Sequence, residues 1–247
     1  MFEKGLTSVT FRSLSPEKII ELCEQNGLTY IEWGSDVHAP ATDTDVLYEI
    51  AEMMKKSDKV KCSSYGTYFR LGTNDISELG SYIAAAKILG TDVLRLWCGN
   101  KNYEDMTDGE WSVLIAECKK AAQIAEKEGV KLCMECHNGS PTNCVEGALR
   151  LMKEVASFAF RMYWQPALFT PVEKNLEYAR AIAEYTENIH TFHWNDKEQI
   201  SLNLGVEEWK KYLACFDGSQ KLLLEFIPTG APEALSDESS ALDKIRM

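Results

Sequence analysis

One α/β domain closed as a (β/α)8 barrel is the fold this chain predicts. Three observations carry that expectation. Eight short apolar runs alternate with amphipathic helical segments, and the runs end near residues 10, 33, 65, 97, 135, 165, 193 and 225. The intervals of 23 to 38 residues suit repeated strand-helix units. The runs are continuously apolar, as strands of a parallel sheet covered by helices are. An open doubly wound sheet is the competing topology, but it calls for a glycine-rich phosphate loop, and neither GxGxxG nor a Walker sequence occurs.

Each element has its own signal. Gly5 to Phe11 reads as the first strand, and Ser15 and Pro16 open a helix closed by Gly27. Leu28 to Trp33 is the second strand, followed by a loop with Asp36, His38 and Pro40 and a helix over Asp43 to Ser57. Lys59 to Tyr65 is strand three, and Asn74 to Leu89 the next helix, ended by Gly90. Val93 to Cys98 is strand four. Thr107 and Glu110 form a capping box for a long helix that stops at Gly129. The fifth strand lies within Val130 to Gly139, and Thr142 caps a helix to about Ala156. Phe160 to Gln165 is strand six. Thr170, Pro171 and Glu173 give a second capping box. Asn188 to Trp194 is strand seven, Val206 to Cys215 a shorter helix, and Lys221 to Ile227 strand eight. The polar tail from Ala231 is partly helical, and from Ser236 it is expected to cap the barrel or meet a partner subunit, which leaves a homo-oligomer open. No linker divides residues 1–247.

Composition narrows the function. A net charge of −12 disfavours a nucleic-acid partner, which needs a basic face, though a small anion held by one or two cations stays compatible. No apolar run is long enough to span a bilayer, and Met1 to Arg12 lacks a leader pattern, so no membrane partner and a cytoplasmic location are expected. The eight cysteines lie mostly in apolar periodic segments and read as reduced thiols. Cys133 and Cys136 form a CxxC, but within a strand their side chains diverge.

Barrels of this class place chemistry at the C-terminal ends of the strands. All four histidines (His38, His137, His190, His193) fall there or just after, as do Trp33, Trp97, Trp164 and Trp194. Glu32, Glu135 and Glu225 also end strands, and Glu225 directly follows three leucines, where a lone carboxylate would be costly. Residues two apart in a strand share a face, so Glu135 and His137 pair on one side. Around a closed rim Glu135, His193 and Glu225 would converge, and two carboxylates with an imidazole suit Mn, Mg, Co or Zn as a divalent metal. A metal-free rim of salt-bridged polar groups is the competing account. Rim aromatics suit the C–H faces of a small carbohydrate, and they also serve simply to pack loops. Arg70, Arg95 and Lys101 could hold an anion, but each reads first as a structural ion pair.

With these residues in place the sequence resembles the xylose isomerase-like TIM barrels, a superfamily of sugar (phosphate) isomerases and epimerases that also includes endonuclease IV. The carrying segments are Ile31 to Gly34 with His38, Leu132 to Asn138, His193 to Asp196, and Leu224 to Phe226. The resemblance implies a divalent metal on Glu135, Gln165, His193 and Glu225. Gln165 departs from the Asp that most members carry, and weaker or altered metal binding follows from the missing charge. Four histidines and the acidic balance set the endonuclease branch aside.

The implied activity is isomerisation or epimerisation of a small sugar or sugar phosphate through an enediolate, with Glu135 and Glu225 as acid and base. Glu32, Trp33, His38, Arg95, Trp97, His137 and Trp164 would bind substrate. A strand shift of one residue would bring His190 inward instead of His193. A keto-polyol dehydratase or lyase, and a metal-free carbohydrate-binding relative, are the alternatives.

Overall fold

The computed structural model describes residues 1–246. Among them eight parallel strands close a barrel in sequence order: β1 (Glu3–Thr7), β2 (Tyr30–Gly34), β3 (Lys61–Leu71), β4 (Val93–Cys98), β5 (Lys131–Glu135), β6 (Phe160–Trp164), β7 (Thr186–Thr191) and β8 (Lys221–Leu224). The helices between and after them are α1 (Pro16–Gln25), α2 (Thr44–Lys56), α3 (Leu79–Ile88), α4 (Asp108–Glu128), α5 (Val145–Val155), α6 (Val172–Ile182), α7 (Val206–Leu213) and α8 (Leu235–Ile245). β1 pairs with β8, which completes the ring.

Strand alternation divides the core in two. Outward residues such as Ile31, Leu94, Met134, Ile189 and Leu222 pack under the helices in one continuous cluster. Inward Val93, Cys133, Tyr163 and Leu223 form a small separate cluster inside the barrel, closed from below by Tyr30. Trp164 points outward into an aromatic nest with Trp209, Tyr212 and Phe216, at ring separations of 5.4 to 6.0 Å. Trp33 is likewise fully buried, beside His38.

Several local signals are realised. Ser15 caps α1 by accepting from the Lys18 amide, and Thr107 with Glu110 makes the reciprocal capping box of α4. Gly129 ends α4 in the left-handed region, at φ 69°. Others are not. The first strand ends at Thr7, and Ser8 to Phe11 turn as a 3-10 helix instead of extending the strand. Thr142 does not cap α5. Cys144 holds that position, while the Thr142 hydroxyl donates to the Glu135 carbonyl. Thr170 does not cap α6 either, because the helix starts one residue later, after Pro171, and the Thr170 hydroxyl turns back to the Leu168 carbonyl. In both places a nearby backbone carbonyl took the hydroxyl that the helix end would have used.

Because Trp164 fills a closed aromatic nest, Trp164→Ala is expected to lower unfolding free energy by about 3–5 kcal/mol in urea denaturation. A loss below about 1 kcal/mol would show that the nest does not hold β6 to α7.

Candidate active site at the barrel mouth

The mouth is built from inward residues one step above the inner cluster. Arg95 of β4 is buried, and its guanidinium reaches two carboxylates: Nε donates to Glu32 at 3.0 Å and Nη1 to Glu135 Oε2 at 2.5 Å. The Trp97 indole N–H donates to the same Glu135 oxygen at 2.7 Å. Ser64 donates to Glu32 at 2.9 Å and meets the Tyr163 hydroxyl at 3.2 Å. Gly66 makes room for this pair. A Cβ there would stand 2.5 Å from Glu32 Oε1 and 2.9 Å from the Arg95 guanidinium.

His190 of β7 lies fully buried at the centre, against the Tyr163 ring at 4.6 Å. Three oxygens surround its Nδ1: Gln165 Oε1 at 3.2 Å, Glu225 Oε2 at 3.4 Å and Glu135 Oε1 at 3.8 Å. Its Nε2 faces Glu32 Oε1 at 3.4 Å, an ion-pair separation without an aligned hydrogen bond. The Gln165 amide N–H donates to the Cys136 carbonyl at 3.1 Å, which turns the amide oxygen toward the imidazole. Glu225 is presented by a backbone reversal. Phe226 holds φ at 60°, a strained value for a bulky residue, and its N–H is fixed by the Thr10 hydroxyl at 2.9 Å.

Charge follows from these contacts. Burial alone would raise the Glu32 and Glu135 carboxyls, but Arg95, helped by His190, outweighs it and holds both below the usual carboxylate range. Glu225 lacks a direct cationic bond, so burial prevails over His190 and lifts it. Burial pushes His190 down, but Glu225, Glu32 and Glu135 together raise it above the ordinary imidazole value.

Geometry sorts the candidate residues of the sequence. Glu32, Arg95, Glu135, Gln165 and Glu225 meet at the mouth, and Trp97 and His137 stack on its wall with centroids 5.1 Å apart. His193 does not join them. β7 ends at Thr191, so His190 carries the inward parity, and the His193 ring packs over Gly205, where a Cβ would come within 2.6 Å of it. Trp33 and Trp164 face the helices. His38 is buried between the Ser8 hydroxyl and the Leu14 carbonyl, both at 3.1 Å, where it ties β2 to the first turn. Lys101 pairs with Glu110 and Arg70 binds the Gly99 and Gly139 carbonyls, as structural contacts. Tyr163, Ser64 and Phe192 also belong to the mouth, although no motif in the sequence marks them. The parity of Tyr163 with its neighbour across the register, Glu135, is the signal that would have found it.

The donor set fits a divalent ion. Glu135, His190 and Glu225 offer ligand atoms within 4.8 Å of one another. Bonds of about 2.0–2.2 Å place neighbouring ligand atoms about 3.0–3.6 Å apart, close to the spacings around Nδ1. Glu32, 3.4 Å from Nε2, stands where an outer carboxylate would orient a metal-bound imidazole. Above these groups lies a cavity of about 280 Å³, walled by Tyr68, Trp97, His137, Leu168, Phe192, Trp194 and Phe226. A larger hollow of about 460 Å³ at the opposite barrel end holds Lys61, Lys131 and Lys221, with Asp92 and Glu187 among them, and gathers no imidazole. No described helix is long and apolar enough to cross a membrane.

Comparison with known proteins agrees with this architecture. The family model described as xylose isomerase-like TIM barrel matches residues 20–218. No curated protein sequence matches the chain. Solved structures of similar fold include the probable 3-DHS dehydratase AsbF of Bacillus anthracis, at 14% identity, TM-score 0.80, and coverage of 98% of this chain and 99% of that one. The D-psicose 3-epimerase of Clostridium cellulolyticum H10, solved with D-tagatose, matches at 15% identity and TM-score 0.69 over 99% and 98% of the two chains. The IolI protein, solved with a zinc atom, matches at 18% identity and TM-score 0.75 over 99% and 98%.

Arg95→Met strands two buried carboxylates, and a loss of about 3–5 kcal/mol is expected at pH 7. In the wild type the lowered Glu32 and Glu135 contribute stability above the unfolded carboxyl value, lost as pH falls through their folded values. Without Arg95 both rise, so acid relieves the defect. Denaturation curves should show the gap between variant and wild type narrowing from pH 7 to pH 5, and a constant gap would contradict the ion-pair account. By its family match over most of its length, the chain belongs to the xylose isomerase-like TIM barrels.

Proposed function

We propose that the chain is a divalent-metal-assisted isomerase or epimerase of a small sugar or sugar phosphate, acting through an enediolate. The observation that carries this is the convergence of Glu135, Gln165, Glu225 and His190 Nδ1 beneath a cavity of sugar size. Family membership supports it, as do a similar fold solved as a sugar epimerase and another solved with zinc. His190 takes the ligand place that the sequence resemblance gave to His193. A bound divalent ion would polarise the substrate carbonyl and stabilise charge on the enediolate oxygens.

The protein's own groups divide the remaining work. Arg95 and Trp97 both hold Glu135 Oε2, which leaves Oε1 facing Nδ1 and makes Glu135 a fixed, ionised anchor. Glu225 has His190 as its one ion-pair partner and borders the cavity, so it is the group best placed to take and return the carbon-bound proton. His137 and Trp97 would meet hydroxyls and a C–H face of the sugar. A dehydratase is the second account, and the pinning of Glu135 favours it: one free carboxylate serves an elimination, whereas inversion at carbon ordinarily uses two.

Elemental analysis of the purified protein should find near one divalent ion per chain, lost in His190→Ala and Glu225→Ala and kept in His193→Ala. Loss in His193→Ala with retention in His190→Ala would reverse the ligand assignment. Glu225→Gln should slow exchange of the substrate carbon-bound proton into D2O by about 10²–10⁴-fold. Undiminished exchange would remove Glu225 from the chemistry. Product identity separates an epimer or isomer from a dehydrated compound.

A further inference from the structure

Charge around the cavity points to the kind of polyol it takes. Among the described residues lining the mouth, the only arginines are Arg12 and Arg95 and there is no lysine. Arg95 is locked between Glu32 and Glu135. Arg12 gives Nε to Asp36 at 2.7 Å, Nη2 to the Tyr68 hydroxyl at 2.8 Å and Nη1 to the Val9 carbonyl at 3.2 Å, with its Cζ 5.8 Å from the Phe226 ring centroid. Each is already paired with a carboxylate, and Arg70, 4.7 Å from the Trp97 ring, gives its Nη1 to the Gly99 and Gly139 carbonyls. Glu135 and Glu225 face the same space and offer an anion only acceptor oxygens.

The adjoining room is no more basic. A second hollow of about 160 Å³ shares His137, Gln165 and Leu168 with the first and continues between the loops after β5 and β6. Its other polar groups are mainly the amides of Asn138 and Asn143 and the Thr142 and Tyr178 hydroxyls, with no lysine, arginine or carboxylate.

In barrels of this fold, phosphate is commonly held by the loops after strands seven and eight and a helix N-terminus there. That position is negative on balance here, with Asp196 and Glu198 flanking Lys197 in the loop after β7. The first turn of α7 carries Glu207 and Glu208, and that of α8 carries Asp237 and Glu238. Glu238 already accepts from the Leu202 amide at 3.0 Å, and the His193 ring covers Gly205 ahead of α7. Carboxylates occupy the places where a phosphate would need donors.

We infer that the site selects an uncharged, unphosphorylated polyol and rejects sugar phosphates and sugar acids. This rests on the function proposed above and narrows it. Cations already committed to Asp36, Glu32 and Glu135 give a phosphoryl group no compensation for losing its water.

The test is isothermal titration of the purified wild-type protein with D-fructose and D-tagatose, and separately with their 6-phosphates. The expected result is saturable binding of at least one free ketose, with its 6-phosphate at least 10-fold weaker. A 6-phosphate that binds as tightly as the free sugar, or more so, overturns the inference and leaves the isomerase or epimerase proposal standing. Absence of binding by all four overturns the inference too, and it also counts against a sugar site at this mouth. The two failures are therefore distinguishable.

Discussion

The Arg95 guanidinium, buried between Glu32 and Glu135, is the interaction on which the rest of the mouth depends. Three carboxylates and an imidazole are gathered in a volume largely closed to water. Left to themselves the carboxylates would take up protons and become neutral. One permanent cation among them keeps two acids ionised, and a guanidinium suits the task because its fork serves both at once. The backbone is arranged around this contact: Gly66 supplies the space, Ser64, itself met by the Tyr163 hydroxyl, ties up Glu32, and Trp97 reinforces the hold on Glu135.

From that contact comes an asymmetry between acids that look alike in sequence. Glu135 and Glu225 both follow apolar runs, yet one receives two strong donors on a single oxygen and the other receives none of comparable strength. Glu135 is immobile and ionised. Glu225 hangs from a strained turn at Phe226, on the cavity side of the imidazole. Strain of this kind is stable only where surrounding contacts fix it, and the Thr10 hydroxyl on the Phe226 amide supplies one. The mouth thus holds one carboxylate rigidly on β5 and leaves the other, after β8, with a freer side chain.

The barrel was legible because its signals are periodic and repeated. Eight apolar runs at regular intervals, divided by caps and glycines, leave few topologies open. What sequence left open was direction. A strand residue points in or out according to a parity that one unseen boundary decides. Glu32 and Trp33 are neighbours, as are Trp164 and Gln165, and in each pair the polar member turned inward while the tryptophan packed beneath helices. β7 ends two residues short of His193, so the motif His193 to Asp196 belongs to a loop and the imidazole at the centre is His190. The helix caps expected at Thr142 and Thr170 failed for a related reason, since a nearby carbonyl can claim a hydroxyl and only folding brings it there.

Charge counting then accounts for the residue at position 165. Glu32, Glu135 and Glu225 bring three negative charges when ionised, and Arg95 returns one. A divalent ion beside a neutral His190 would bring the cluster to zero. An aspartate at 165 would leave it one charge negative in a region of low dielectric, where an unbalanced charge is expensive. Gln165 offers an oxygen at the same vertex, steadied by the Cys136 carbonyl, without that excess. The amide is therefore matched to Arg95: the cation that holds Glu32 and Glu135 ionised has no need of a further anion facing it. The same balance acts when the ion is absent, because three carboxylates around one imidazole draw a proton onto His190 in its place. A divalent ion bound there would displace that proton, with Arg95 setting the charge that either would neutralise.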